Sequence, residues 1–361
     1  MSEPTIFSIL YITRKWAPAV GGMETYSHRL TEELSSIADT DSFVLPGQKN
    51  GMSPSPVQLL KFGLASALKL LARKPADVTH LGDMALWPLA VFARLRSKHT
   101  RLVISAHGTD VSYPLRGGLR GNLYGWYLHA GSKLLPNLLV VANSGATRDA
   151  LDAYGYKDIR IVKLATDVTR RPPVGTPDGH LLFAGRLVKR KGFSWFVKEV
   201  LPLLGQDVKV HVAGTVWDPE EGQALNNDRV QFLGSLSQNE LMKEYAQAMC
   251  VVIPNISVPN GEFEGFGLVA VEAAAAGGVV LAARHSGLLD AVMDGVTGFQ
   301  VASGDAQAWV GKIAEISAWS DEDRQNFVES SVHAVRTHYS WKRVAEETYA
   351  AYEIQGASPS Y

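Results

Sequence analysis

The sequence predicts an α/β protein made of two doubly wound parallel sheets, one after the other, and three observations carry that expectation. Its 361 residues exceed what one hydrophobic core usually supports, so two domains of about 170 residues are the default. Short apolar runs alternate with helix-spaced segments along the whole chain, the order expected of parallel strands joined by crossover helices. One Pro/Gly-rich polar stretch, Thr169 to Gly179, stands at mid-chain and reads as a linker. The expected division is 1–170, joined by a closing helix at about 340–361, and 171–339.

Taken in order, Ile6 to Ile12 is the first strand, and Pro18-Ala19-Val20-Gly21-Gly22-Met23-Glu24 leads from it into a helix through Leu30 and Leu34. Val57, Leu60, Leu64, Leu68 and Leu71 form an apolar stripe with Lys61, Lys69 and Arg73 beside it. An ordinary helix packed on a sheet shows the same stripe, and core packing is the default; a membrane-facing helix is the other reading. Arg94, Arg96, Lys98 and Arg101 make a second basic cluster that reads as a solvated loop. Leu102-Val103-Ile104 is a strand that opens into Ser105-Ala106-His107-Gly108-Thr109-Asp110, and Ile159 to Val162 is another strand.

In the second half, Leu181-Leu182-Phe183-Ala184 is a buried strand ending at Gly185-Arg186-Leu187-Val188-Lys189-Arg190-Lys191-Gly192. Ligands of doubly wound sheets sit at such strand ends. Arg186 supplies a planar fork of donors and Lys191 a compact charge, a pair suited to a diphosphate without a metal. A surface charge cluster explains the same residues equally well. Cys250 to Pro254 is the next buried run. After it, Glu264 and Glu272 bracket Gly265-Phe266-Gly267-Leu268, and Leu268 to Ala276 is a helix pattern closed by Gly277-Gly278. The glycines lie at a helix N-terminus, where free N–H groups and the dipole favour anionic oxygen. Glu264 as a cap and Glu272 as a solvated residue is the plainer alternative.

Joined in this order, the four motifs resemble the retaining glycosyltransferases of family GT4, and they span most of the chain. The resemblance implies a GT-B fold: two Rossmann-like domains facing each other across a donor cleft, with the helix from Trp341 to Tyr352 crossing back onto the first. It further implies that Arg186 and Lys191 bind the donor diphosphate and that Glu272 holds the nucleotide ribose. Glu264 would contact the donor sugar near its reacting end, with backbone amides of Phe266, Gly267 and Leu268 on sugar hydroxyls or phosphate oxygens. Gly22 would close the phosphate site from the first domain, and His107 would face the donor sugar. Two positions depart from the family pattern: Leu164-Ala165-Thr166-Asp167 stands where Asn-Gly-Val-Asp is frequent, and Ser286-Gly287-Leu288-Leu289-Asp290 ends in aspartate rather than glutamate.

The implied function is transfer of a sugar from a UDP- or GDP-sugar to an acceptor hydroxyl, with a lipid-linked saccharide as the favoured acceptor. A soluble acceptor, or sugar-nucleotide binding without catalysis, are the alternatives. Residues 1–170 carry 20 Lys+Arg against 13 Asp+Glu, and residues 171–361 carry 15 against 23, so nets of +7 and −8 make up the overall −1. A basic first domain suits an anionic acceptor or membrane face. The single cysteine, Cys250, excludes an intrachain disulfide and fits a reducing, cytoplasmic setting. No cofactor and no metal are expected. Asp39-Thr40-Asp41 and Asp321-Glu322-Asp323 have the Asp-x-Asp form of a divalent-cation site, but a turn and a helix start account for them. The Gly21-Gly22 loop lacks the Gly-x-Gly-x-x-Gly spacing of a dinucleotide site. Nucleic-acid binding has no interleaved aromatic and basic platform to support it.

Overall fold

The computed structural model describes residues 7–19, 21–49, 51–168 and 179–353. Thr169 to Asp178, the body of the expected linker, and Val20 of the first glycine loop lie outside the described residues. The chain divides into two compact units, one of Met1–Leu164 with Trp341–Tyr361 and one of Ala165–Ser340.

The first unit runs β1 (Ser8–Trp16), α1 (Gly22–Ser35), β2 (Asp39–Pro46), α2 (Pro56–Ala72), β3 (Val78–Leu81), α3 (Trp87–Arg96), β4 (Arg101–Ala106), a one-turn α4 (Thr109–Ser112), α5 (Gly118–Leu134), β5 (Leu139–Ala142), α6 (Gly145–Ala153) and β6 (Ile159–Ile161). Every strand pair is parallel, in the order β2-β1-β3-β4-β5-β6. The chain therefore changes direction across the sheet between β1 and β3, which is where strand C-terminal ends leave a crevice. Asp39-Thr40-Asp41 opens β2 rather than lying in a turn. Arg94 and Arg96 belong to the last turn of α3, and Arg101 begins β4, paired with Asp158 at 2.8 Å. The second basic cluster is therefore not simply a loop.

Helices α2, α3 and α5 share one core layer, with Ala67, Leu70, Trp87, Ala90 and Leu128 packed on Leu10, Ile12, Ile104 and Val140. The α2 stripe is not part of it. Val57, Leu60, Leu64, Leu68 and Leu71 are 43–69% exposed, while the helix buries only Ser66, Ala67 and Leu70. The helix does pack on the core, but through Ser66, Ala67, Leu70 and the half-buried Phe62 rather than through the stripe, which faces water. Helix α5 does the same with Leu119, Leu123 and Trp126, at the i, i+4, i+7 spacing of one helical face.

The second unit runs β7 (Leu181–Ala184), a single turn α7 (Phe193–Trp195), β8 (Val210–Ala213), α8 (Pro219–Gln223), β9 (Val230–Gly234), α9 (Gln238–Gln247), β10 (Cys250–Ile253), α10 (Leu268–Ala276), β11 (Val280–Ala283), α11 (Leu288–Ala291), β12 (Phe299–Val301), α12 (Ala306–Ser317) and α13 (Asp321–His338). Its sheet is again parallel, ordered β12-β11-β10-β7-β8-β9. The direction reverses between β7 and β10, so the loops after these two strands flank the switch point. Asp321 to Asp323 form the first turn of α13 behind the Ser320 cap, the capping role expected of them.

Helix α14 (Trp341–Glu353) returns to the first unit and packs on α1. A buried polar chain fixes it there. The Tyr352 hydroxyl lies 2.7 Å from His80 Nδ1, His80 Nε2 is 2.8 Å from Ser105 Oγ, and Ser105 Oγ is 3.0 Å from the Tyr26 hydroxyl. Burial, then the neighbouring His107, drives the His80 pKa down to about 3, so it is the neutral ring that joins these hydroxyls. Arg343 adds donors to the carbonyls of Lys163 and Leu164.

Candidate active site

The switch point of the second unit collects most of the residues singled out in the sequence. After β7 the chain forms a short 3₁₀ turn, Lys189–Lys191, in which successive side chains point about 120° apart. Lys189 turns outward to Glu220 at 3.7 Å, whereas Arg190 and Lys191 turn inward. Gly192 ends the turn with φ 69°, and a Cβ there would collide with the carbonyl of Pro254, so only glycine lets the β7 and β10 loops close together.

From the β10 side comes Glu264. Its Oε2 accepts from Lys191 Nζ at 2.6 Å, lies 3.7 Å from Arg190 Nη1, and accepts from Asn255 Nδ2 at 3.4 Å. Burial alone would raise the Glu264 pKa, but Lys191 and then Arg190 outweigh it and hold the group down to about 2. It is a carboxylate at any physiological pH. Two polar atoms beside it, Arg190 Nη1 and Asn255 Oδ1, are buried without a hydrogen-bond partner among the described residues. Buried donors and acceptors are rarely left so unless a ligand or water completes them.

Glu264 does not cap α10. That position is Gly267, with φ 101°, where a side chain would press on Leu288. Phe266 is buried and Leu268 begins the helix; in its first turn Ala270 N–H donates to the Gly267 carbonyl at 2.9 Å, while the N–H groups before it lie ahead of the helical hydrogen-bond ladder. Glu272 lies one turn in. Burial raises its pKa and Lys191 partly offsets that, so it is no solvated surface acid. Arg186 is exposed, with its guanidinium 5.0 Å from the centre of the Trp217 ring.

In the first unit, His107 is buried at the end of β4. Its Nε2 lies 2.9 Å from the Gly82 carbonyl, which can only accept, so that nitrogen carries a proton. Asp110 receives the His107 backbone N–H at 2.9 Å and that of Met84 at 3.2 Å, tying together the loops after β3 and β4. Burial raises the Asp110 pKa, with His107 opposing. Gly22 is the exposed first residue of α1, behind Gly21. Close by in this unit, the Arg14 Nε binds both oxygens of the buried Asp83 at 3.0–3.1 Å.

Sequence reasoning missed Arg190, Asn255 and Trp217. Arg190 was legible only as one charge among three, because nothing in a basic run tells which side chain a 3₁₀ turn sends inward. Asn255 and Trp217 stand in loops after β10 and β8, and their position after a buried apolar run was the one available signal.

Two family models match the chain: glycosyl transferases group 1 over residues 170–332 and glycosyltransferase family 4 over residues 20–170. The glycogen synthase of Mycobacterium tuberculosis (strain ATCC 25618 / H37Rv) is 25% identical over 403 aligned positions, covering 95% of this chain and 94% of that protein. An uncharacterized glycosyltransferase of Methanocaldococcus jannaschii is 31% identical over 194 residues, and the match covers 51% of this chain and about half, 47%, of that relative's length. Among solved structures, HepE of Anabaena in complex with UDP and glucose superposes with a TM-score of 0.70 at 18% identity, covering 97% of this chain and all of that one. Sucrose-phosphate synthase from Thermosynechococcus elongatus gives 0.71 at 19%, covering 96% and 98%.

Proposed function

The chain belongs to the GT4-type group 1 glycosyltransferases, with a two-domain α/β GT-B fold, and from that premise we propose that it moves a sugar from a nucleoside diphosphate, a UDP- or GDP-sugar, to an acceptor hydroxyl with retention at the anomeric carbon. The observation that carries the donor site is the convergence of Arg190 and Lys191 on Glu264 at the β7/β10 switch point, with Arg190 Nη1 buried and unsatisfied. A diphosphate entering there meets two cations already desolvated and held by one carboxylate. Arg186, exposed beside the Trp217 ring, would reach the same diphosphate from the solvent side. Glu272 takes the ribose hydroxyls, and the amides of Phe266, Gly267 and Leu268 take donor oxygens. A thermal-shift screen of UDP-, GDP-, ADP- and TDP-sugars tests the reading, and stabilisation by none of them would end it. The Anabaena relative has been solved with UDP-glucose, which supports trying uridine donors first.

Retention needs no protein nucleophile when the leaving diphosphate departs from the face the acceptor attacks and itself helps remove the acceptor proton. Positioning and charge stabilisation then carry the rate. Glu264 orients the donor sugar near its reacting carbon; in the first unit, His107 is assigned a sugar hydroxyl and Gly22, at the start of α1, a phosphate. Because fixed cations stand where other transferases place a divalent ion, transfer should survive EDTA. Complete loss of turnover, restored by Mg2+ or Mn2+, would instead require an Asp-x-Asp type of site.

The acceptor reading rests on the exposed apolar faces of α2 and α5. Exposed apolar surface beside basic residues marks an interaction site; Lys61 lies on α2, Arg120 on α5 and Arg116 just before α5. A lipid-linked saccharide at an anionic membrane is the acceptor that suits such a face; a soluble acceptor leaves it unexplained. No helix among the described residues is long and apolar enough to cross a membrane, so contact would be peripheral. Vesicle binding should require anionic lipid and weaken with salt. Changing Lys61, Lys69 and Arg73 to glutamine should reduce it, and Leu60, Leu64 and Leu68 to serine should cut it on the order of 100-fold, since each leucine loses about 1 kcal/mol or more of apolar burial. Nucleotide affinity should be unchanged in both. Equal sedimentation of all three proteins would remove the membrane from the proposal.

A further inference from the structure

The second unit holds a polar cluster that the transfer chemistry does not use. His180 stands just before β7, His211 lies in β8 and Glu244 in α9, so three separate elements contribute one side chain each. Glu244 Oε2 is 3.2 Å from His211 Nδ1 and 3.6 Å from His180 Nε2, and all three ligand atoms lie within 4.8 Å of one another. The two imidazoles stack at 3.8 Å between centres and 18° between planes. We propose that His180, His211 and Glu244 form a binding site for a divalent transition ion, zinc by the chemistry of its donors, that ties α9 to the N-terminal ends of β7 and β8.

Two imidazole nitrogens and one carboxylate oxygen are a donor set that zinc takes with a fourth position left to water. Bonds of about 2.0–2.2 Å in a tetrahedron put ligand atoms roughly 3.3 Å apart, which the two nitrogen-to-oxygen separations already approach. Closing the third edge asks the stacked rings to splay so that their lone pairs meet, a rotation about the soft Cβ–ring torsion. The ion also resolves an electrostatic difficulty: stacked rings cannot both carry a proton without repulsion, whereas two neutral rings and a carboxylate around a dication are mutually attractive. His180 is buried, but His211 and Glu244 are partly exposed, so an ion has a way in.

The site is separate from the donor site. His180 precedes β7 and Arg186 follows it, so the two stand at opposite ends of a four-residue strand, which spans about 13 Å. The ion would therefore staple α9 to the sheet and take no part in transfer.

The test starts from full-length protein stripped by a chelator and dialysed. Zinc at about 100 times its dissociation constant should raise the melting temperature by about 5 °C, with one ion bound per chain, and Co2+ should show the visible absorption of a tetrahedral site. The effect should weaken as the pH is lowered, because protons compete with the ion for the ligand atoms. Glu244→Gln keeps an acceptor for His211 and so preserves the apo fold while removing a ligand; it and His211→Asn should lose both the shift and the cobalt spectrum. An equal zinc shift in both variants, or none in a wild-type protein that melts cooperatively, would overturn the site. Binding of UDP should be the same with and without zinc, so failure here and failure of the donor assignment are told apart.

Discussion

Lys191→Ala should weaken binding of a nucleoside diphosphate by about 2–4 kcal/mol, roughly 30- to 1000-fold, because it removes a charge-assisted contact from a nearly dry site. The side chain is 10% exposed, so little water is at hand to replace it. The substitution also strips Glu264 of its main counter-charge, and that carboxylate will then hold a proton more readily than at its present pKa of about 2. Calorimetry with UDP, GDP and ADP reads the affinity, and a melting curve beside it separates lost binding from lost folding. Arg186→Ala should fall at the lower end of the same range, since its guanidinium is exposed. Unchanged affinity in both variants would sink the donor assignment.

Glu264→Gln should separate binding from transfer. Glu264 competes with an incoming diphosphate for Lys191 and Arg190, so neutralising it leaves UDP affinity equal or higher, while loss of its contact to the reacting sugar lowers turnover by about 10²–10³-fold. A parallel loss of both quantities would mean that the residue only supports the fold. Glu264→Ala goes further and leaves buried cations without a partner, at about 3–5 kcal/mol of stability. The pH dependence has a definite sign. The folded-state pKa lies below the usual carboxylate value, so the pair's stabilisation is fully present above about pH 4.5 and is lost as pH falls towards 2. Thermal melts across that window should show a shallower acid limb in Glu264→Gln than in wild type.

Both residues were legible in the sequence, and the reason is local. A four-residue apolar strand must end where its backbone leaves the sheet, and a glycine followed by charges at that point announces a ligand loop whatever else the chain does. The helix start at Gly267 was readable for the same reason. What stayed hidden depends on which way a side chain turns once distant elements have met. Periodicity marked the α2 stripe correctly but could not tell that the neighbouring face, with Ser66, Ala67 and Leu70, would take the core side and leave Leu60, Leu64 and Leu68 outside. Arg190 and Lys189 are neighbours with opposite fates, decided by a 3₁₀ turn no spacing rule foresees. The cluster of His180, His211 and Glu244 draws its members from a strand approach, a strand and a helix, so no motif contains it.

The return of α14 to the first unit orders events during synthesis. His80 and Tyr352 are 272 residues apart, so the hydrogen-bond chain through His80, Ser105 and Tyr26 cannot be completed until α14 has been made. The intervening unit, Ala165–Ser340, is continuous, and making it takes roughly 10–35 s at ordinary elongation rates. The later-made unit can thus finish folding first, while the earlier one waits with α1 uncovered. A chain ended after Ser340 should keep a protease-resistant second unit and a readily digested first one; equal resistance of both would show that α14 is an accessory rather than the closing step.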